Sequence, residues 1–291
     1  MSSAAPAERR QSDYAGFGYW VLLPFAVLAT IFLYPLSLIV HEALTVGTGA
    51  ISIDGLRKVM GSAIFVSALF NTVRIALIAT LGCLTLGFTL ALIYSFVPFP
   101  GRALVAKMLD TFIALPTFLV ALAFTFIYGS AGLINHLLMT AMGTPVPPVN
   151  FLYSSWGVIL AEITVYSPFV LRPLIASFSL LDPALIEVAS SLGARPLRVV
   201  REIIFPAALP ALLAGGSLCL LLTVNEFGIV LFIGAKGVIT LPLLVYDKAI
   251  QQFDYTSACV IASVNILLSL LLYSLYRVAI SGLGGQRAAV V

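Results

Sequence analysis

The sequence predicts an all-α integral membrane protein with six transmembrane helices, and three observations carry that expectation. Of its 291 residues, 61% are hydrophobic and only 9% are charged, with a mean hydropathy of +1.11, which leaves too little polar surface to cover a soluble globule. Six apolar runs reach the roughly 20 residues that a helix needs to cross a bilayer. Between the fourth and fifth lies a polar interruption, residues 187–215, where Glu187, Arg195, Arg198, Arg201 and Glu202 crowd together. Hydrocarbon does not accept so many charges, so this stretch belongs in water or against a partner protein.

Taken in order, the chain opens with a polar tail, residues 1–18, that carries Arg9 and Arg10. The first apolar run, about 19–40, is longer than the core of a secretory signal and is read as an uncleaved span. The second, about 71–96, ends at Pro98-Phe99-Pro100-Gly101, a strong turn signal. The third, about 109–128, contains Pro116, which neighbouring helices must accommodate. A hydrated loop, 129–155, holds GTPVPPVN and no lysine or arginine, with a short helix expected at 133–142. Spans four, five and six follow at about 156–178, 207–233 and 257–280, and the short tail 282–291 is glycine-rich. Residues 19–281 thus read as one membrane domain.

The polar interruption has its own architecture. Asp182 before Pro183 is a good helix start, since the carboxylate accepts from free amides and proline is pre-set for the first helical position. Leu185, Val188, Ala189 and Leu192 recur at helical spacing and give one apolar face. Gly193 supplies the positive-φ residue on which helices end. A second helix is expected from Pro196 through Val199, Val200, Ile203 and Ile204, bending at Pro206 and Pro210 into span five. The product is helix, tight turn, helix across the membrane face, a docking element. An amphipathic helix resting on lipid headgroups accounts for the arginines but not for the glycine and proline placement.

Basic residues set the orientation. With the N-terminus inside, the inner set is Arg9, Arg10, Arg102, Lys107, Arg195, Arg198, Arg201, Arg277 and Arg287, and the outer set is only Arg57, Lys58, Lys236 and Lys248. Both termini and the docking element are then expected in the cytoplasm.

Several chemistries lack their residues. No phosphate-cradling Gly-x-x-x-x-Gly-Lys-Ser/Thr occurs, so nucleotide is not expected to bind here in that manner. His41 and His136 stand on different segments, and Cys83, Cys219 and Cys259 all fall in apolar runs without metal or redox spacing. No metal, no cofactor and no histidine-based triad is expected. The net charge of +3 is spread along the chain, which argues against nucleic acid.

Glu187 and Ala189, then Gly193, then Ile203 and Phe205-Pro206, resemble the EAA loop of bacterial type I ABC-importer permeases. Val188 departs from that pattern at the second position of the triplet, and Phe205 replaces its leucine; both are apolar. The resemblance covers most of the chain and implies an inner-membrane transport subunit whose coupling element, 182–206, seats in a cytoplasmic ATPase dimer. Glu187, Ala189, Gly193, Ile203 and Pro206 would form that coupling site. ATP and Mg would be used by the ATPase, a second permease subunit, the same or a different chain, would complete the pathway, and a binding protein would deliver solute.

Charges inside spans point to solute, because intramembrane charge is costly and commonly faces a water-filled path or a partner. Arg74 sits near the outer end of span two, Glu162 two turns into span four, Arg172 deeper between Pro168 and Pro173, and Glu226 beside Asn225 in span five. Arg172 is expected to make a structural pair. Glu226, Asn225, Glu162 and Arg74 are the pathway candidates, with an ion pair from Glu226 to Arg74 or Arg172 as the competing role. The Glu-Phe-Gly triplet at 226–228 looks like that of permeases for oxyanions, ferric iron and phosphonates, and the overall similarity runs to 2-aminoethylphosphonate permeases. Ferric iron, polyamine and thiamine remain alternative substrates within the family, and an ion-driven secondary transporter is the alternative outside it.

Overall fold

The computed structural model describes residues 22–46, 50–51 and 54–285. The tail 1–18, the first residues of span one, Arg9, Arg10, Arg287 and the end of the tail 282–291 lie outside the described residues. Six helical stretches among these residues are long and apolar enough to cross a membrane.

Helix α1, Leu22–Leu44, contains a π-type turn at Ala29–Leu33 and packs mainly against the last helix, Tyr255–Gly285. A two-residue antiparallel pair follows, β1 (Thr45–Val46) with β2 (Ala50–Ile51), and then α2, Asp54–Met60. Helix α3, Ala63–Phe96, is capped by Ser62, whose hydroxyl accepts from the Phe65 amide. Its 34 residues make about 50 Å of helix, well over the roughly 30 Å of a hydrocarbon core, so it projects beyond the bilayer. It begins eight residues before the expected start of span two, which places Arg74 three turns into the helix rather than near its end.

Span three departs from expectation. Pro116 does not kink a helix but ends one: α4, Arg102–Ala114, stops, Leu115 and Pro116 are extended, and α5 begins anew at Thr117–Tyr128. The ring forbids the α conformation to the residue before it and removes an amide donor, and Leu115 has ψ 133° accordingly. The apolar crossing is instead Thr117–Met142, interrupted at 129–132 before α6, Leu133–Met142. Buried Asn135 pins the loop behind α6, donating to the Gly129 and Val149 carbonyls and accepting from the Val149 amide, at 2.8–2.9 Å.

Helix α7, Ser155–Ser179, carries Pro168 and Pro173 without breaking. After α8, Pro183–Ser191, comes α9, Pro196–Val224, which is continuous through both Pro206 and Pro210. The expected bend at Pro206 is absorbed by a π-type turn at Val200–Ile204, where the Phe205 amide bonds the Val200 carbonyl. Pro206 thereby falls in the first turn of the resumed α-helix, where its missing amide costs little. Span five also ends nine residues early: α9 stops at Val224 and α10, Gly228–Ile233, is separate. Helix α11, Leu241–Tyr246, runs on through a π-type turn to Gln251, and α12 is Tyr255–Gly285.

The core is the packing of α3, α7 and α9 on one another. Small residues set its spacing. A side chain at Gly215 would lie 2.9 Å from the backbone of Phe169 and Val170, so α7 and α9 touch main chain to main chain there. At Gly216 the vacant position is filled by the Tyr276 hydroxyl of α12, which donates to the Leu212 carbonyl at 2.7 Å.

Candidate functional site

Two groups of residues carry chemistry: the 182–206 segment and a buried acidic cluster where α5, α7 and α9 meet. The segment is built by local rules. The Asp182 carboxylate accepts from the Ala184 amide at 3.0 Å and starts α8, with Pro183 in its first turn. At the other end Gly193 has φ +78°, its amide bonds the Ser190 carbonyl, and the Ala194 amide reaches back to Ala189, both at 3.0 Å, which closes the helix in a Schellman turn. Arg195 then leads into α9, where Arg198 pairs with Glu202 one turn on, at 3.1 Å, on the exposed side.

The apolar residues of α8 divide between two faces rather than sharing one. Leu185, Val188 and Leu192 point outward, with 52%, 57% and 82% of their surface open. Ala189, expected beside them, is half-buried and turned with Ile186 and Ala194 onto the membrane core. A single apolar stripe becomes two because α8 needs one side to sit on the protein and leaves the other bare. Glu187 is exposed, whereas Ile203 and Pro206 lie half-buried where α9 enters the core. Behind α8 an apolar hollow of about 390 Å³ separates Ile186 and Ala194 from Leu92 and Phe96 at the end of α3.

The second group gathers around Glu226, which is 6% exposed. Its Oε1 accepts from the Ile229 amide at 2.7 Å and from the Thr117 hydroxyl at 3.3 Å, and its Oε2 accepts from the Tyr166 hydroxyl. The acid therefore caps the start of α10 and ties α5 and α7 to it. Gly228 makes room, since a side chain there would meet the Thr117 hydroxyl at 3.0 Å. Neither expected ion pair forms: Arg172 pairs instead with Asp110 of α4, and Arg74 stands on the exposed face of α3 with Phe70, Leu77 and Leu81. The acid turned to hydroxyl and amide donors because Asn225 ends α9 and the following turn swings Glu226 inward.

Glu162 lies one turn before Tyr166 on α7 and is 1% exposed. Its Oε2 has no hydrogen-bond partner among the described residues. Glu226 and the Cys219 thiol are its electrostatic neighbours, and the nearby Cys83 thiol of α3 donates to the Ile163 carbonyl of α7 at 3.8 Å. Asn225 faces the other way: it is exposed, donates to the Leu221 carbonyl at 2.8 Å and to Ser269 at 3.2 Å, and accepts from Asn265 at 2.9 Å. The four pathway candidates thus separate. Glu162 and Glu226 join one buried cluster, Asn225 belongs to a polar contact with α12, and Arg74 bonds none of them.

Sequence reasoning missed Tyr166, Thr117, Asn265 and Ser269. Only Tyr166 left a local sign, its spacing of four from Glu162. The arrangement supplies no nucleophile activated by a base; its polar atoms mostly hold helices together.

A family model described as "Binding-protein-dependent transport system inner membrane component" matches residues 83–283. A Salmonella typhimurium (strain LT2) protein named "Putative 2-aminoethylphosphonate transport system permease protein PhnU" is 62% identical over 265 residues, covering 91% of this chain and 93% of its own. A Prototheca wickerhamii protein named "Probable sulfate transport system permease protein cysT" is 33% identical over 215 residues, covering 72% of this chain and 80% of its own. Among solved structures, a bacterial ABC transporter involved in the import of the acidic polysaccharide alginate aligns with a TM-score of 0.80 at 19% identity, covering 95% of this chain and 99% of that one. The fold is the same. With its membrane helices, the family match and the 62% identical relative taken together, the chain belongs to the binding-protein-dependent transport system inner membrane components, multi-pass subunits of ABC importers.

Proposed function

We propose that this permease carries 2-aminoethylphosphonate or a related phosphonate across the inner membrane, driven by a cytoplasmic ATPase dimer that binds α8. The observation that carries the coupling is the bare apolar face of Leu185, Val188 and Leu192, on a helix whose two ends are locked by Asp182 and Gly193. Three exposed apolar side chains in a row on a charged segment fit a groove in a partner. Of the coupling residues, Ala189, Ile203 and Pro206 lie half-buried against the core, Gly193 closes α8, and Glu187 is exposed toward the partner. Because α9 runs unbroken from Pro196 to Val224, movement of α8 is transmitted along one rod to the turn at Asn225 and Glu226.

The remaining assignments follow the same reading. The domain is 19–281, with both termini and the 182–206 segment cytoplasmic. ATP and Mg are used by the ATPase, and this chain binds neither. A second permease, identical or different, completes the pathway, and a binding protein delivers solute from outside. One solved structure of the same fold is that of a bacterial alginate ABC transporter in complex with alginate pentasaccharide-bound periplasmic protein. Substrate class is supported by the name of the 62% identical Salmonella protein. Among the pathway candidates, we assign solute contact to Arg74 and Asn225, a reading supported by their exposure, whereas Glu226 acts by holding α10 in place.

Uptake of labelled 2-aminoethylphosphonate, in cells lacking this chain and in the same cells complemented with it, tests the proposal. Uptake restored for the phosphonate and not for sulfate, ferric iron, polyamine or thiamine is expected; unchanged phosphonate uptake in the deleted cells overturns the substrate.

A further inference from the structure

At the end of α3 remote from α8, a cleft of about 510 Å³ opens between α2, α11 and the first turns of α3 and α12. Its floor is a small separate core that includes Phe65, Leu244 and Ile261. Its walls are charged, and they contain two of the four basic residues placed on the outer side. The Lys248 ammonium donates to Gln252 Oε1 at 2.8 Å and lies 3.8 Å from the Asp254 carboxylate. Lys58 is exposed on α2 and makes no ion pair among the described residues.

The backbone adds to this charge. Two long helices, α3 of 34 residues and α12 of 31, both begin at the cleft, and their N-terminal ends carry partial positive charge. Asp254 caps α12 by accepting from the Ser257 amide at 3.1 Å. Partial burial pushes its carboxyl upward, but the bonds from Ser257 and the charges of Lys248 and Lys58 outweigh that and hold it below its ordinary range. It remains ionised at neutral pH. A cleft whose lining holds two ammonium groups and the Asp254 carboxylate, with the Glu42 carboxylate accepting from the lining Thr256 hydroxyl at 3.0 Å, does not suit a simple anion, which the carboxylates repel. It suits a molecule with both charges.

We propose that this cleft binds a small zwitterion with a phosphonate or phosphate at one end and an ammonium at the other, Lys58 and Lys248 holding the anion and Asp254 the ammonium. Identifying the ligand as the transported solute rests on the proposed function. The same aminoethyl-phospho chemistry is carried by the headgroup of phosphatidylethanolamine.

The test uses the transporter purified with its own partner subunits, without binding protein, in nanodiscs of phosphatidylcholine, with binding of 2-aminoethylphosphonate and of methylphosphonate followed by phosphorus NMR. Lys58→Gln with Lys248→Gln is expected to weaken both ligands by about tenfold or more. Asp254→Asn, which keeps a helix-capping side chain, is expected to weaken the aminophosphonate and strengthen methylphosphonate, a crossing of preferences that misfolding does not produce. Equal binding by all variants, or no binding by the parent, overturns the site. Loss of binding when phosphatidylethanolamine is added to the nanodiscs supports the site and shows lipid competing for it. If deleted cells take up 2-aminoethylphosphonate normally while the complex binds it with this lysine dependence, the proposed function fails and the site stands. Uptake that depends on the chain, together with binding indifferent to Lys58, Lys248 and Asp254, fails the site alone.

Discussion

The acidic cluster and the α8 segment are both polar breaks in an apolar chain, yet they are built in opposite ways. Around Glu226 the carboxylate receives three donors from α5, α7 and α10, and Gly228 leaves room for the Thr117 hydroxyl beside it. At α8 the ends are fixed by Asp182 and Gly193 and one face rests on the core through Ile186, Ala189 and Ala194 beside a hollow, while the other face is bare. The first region is overdetermined and resists movement; the second is held in shape but weakly held in place. The proposed coupling calls for that combination, a stiff rod with an end free to be gripped.

The largest effect that separates the two regions is expected at Glu226. Glu226→Ala leaves the buried Tyr166 hydroxyl, Thr117 hydroxyl and Ile229 amide without their acceptor, and each such loss costs about 1–3 kcal/mol. A fall of several degrees in the midpoint of thermal unfolding in detergent is expected, with Glu226→Gln recovering most of it because one oxygen still accepts. Were the acid a solute ligand instead, Glu226→Ala would leave the midpoint unchanged and abolish only uptake.

A smaller effect is expected at Gly193. Nothing lies within 4 Å of where its side chain would be, so Gly193→Val meets no clash, only the strain of φ +78° in a β-branched residue. That strain is about 1–2 kcal/mol, and it acts on the turn between α8 and α9. Insertion and the unfolding midpoint should barely change, since α8 adds little to the core, while co-purification of the ATPase and uptake fall together. Gly193→Asn, which tolerates the left-handed conformation, should restore both.

What could be read in the sequence divides along the same line. The start of α8 at Asp182-Pro183, its end at Gly193 and the helix at Leu133–Met142 were legible because their determinants sit within a few residues of one another. The fate of each proline was not. Pro116 broke a helix whereas Pro168, Pro173, Pro206 and Pro210 did not, and of these four only Pro206 has a π-type turn just before it, so the outcome is a choice that tertiary packing makes. The partners of Glu226 were invisible for a related reason: Tyr166 is 60 residues away and Thr117 is 109. Charge suggested an arginine, whereas the fold delivered hydroxyls and an amide.

The smallest effects on stability, and the sharpest contrast with Glu226, belong to the bare face of α8. Leu185, Val188 and Leu192 are already open to solvent, so Leu185→Ser with Leu192→Ser should move the unfolding midpoint hardly at all, within about 0.5 kcal/mol. Arg198→Ala removes an exposed pair one turn apart and should cost about 0.3–0.5 kcal/mol, less in high salt. The two differ in what they do to assembly. Removing apolar area from the face that a groove must cover should release the ATPase from the purified complex, whereas removing the Arg198 pair should leave the complex intact. If the leucine variant keeps its ATPase and its transport, the exposed face is not the grip, and the stiffness of α9 has nothing to pull on.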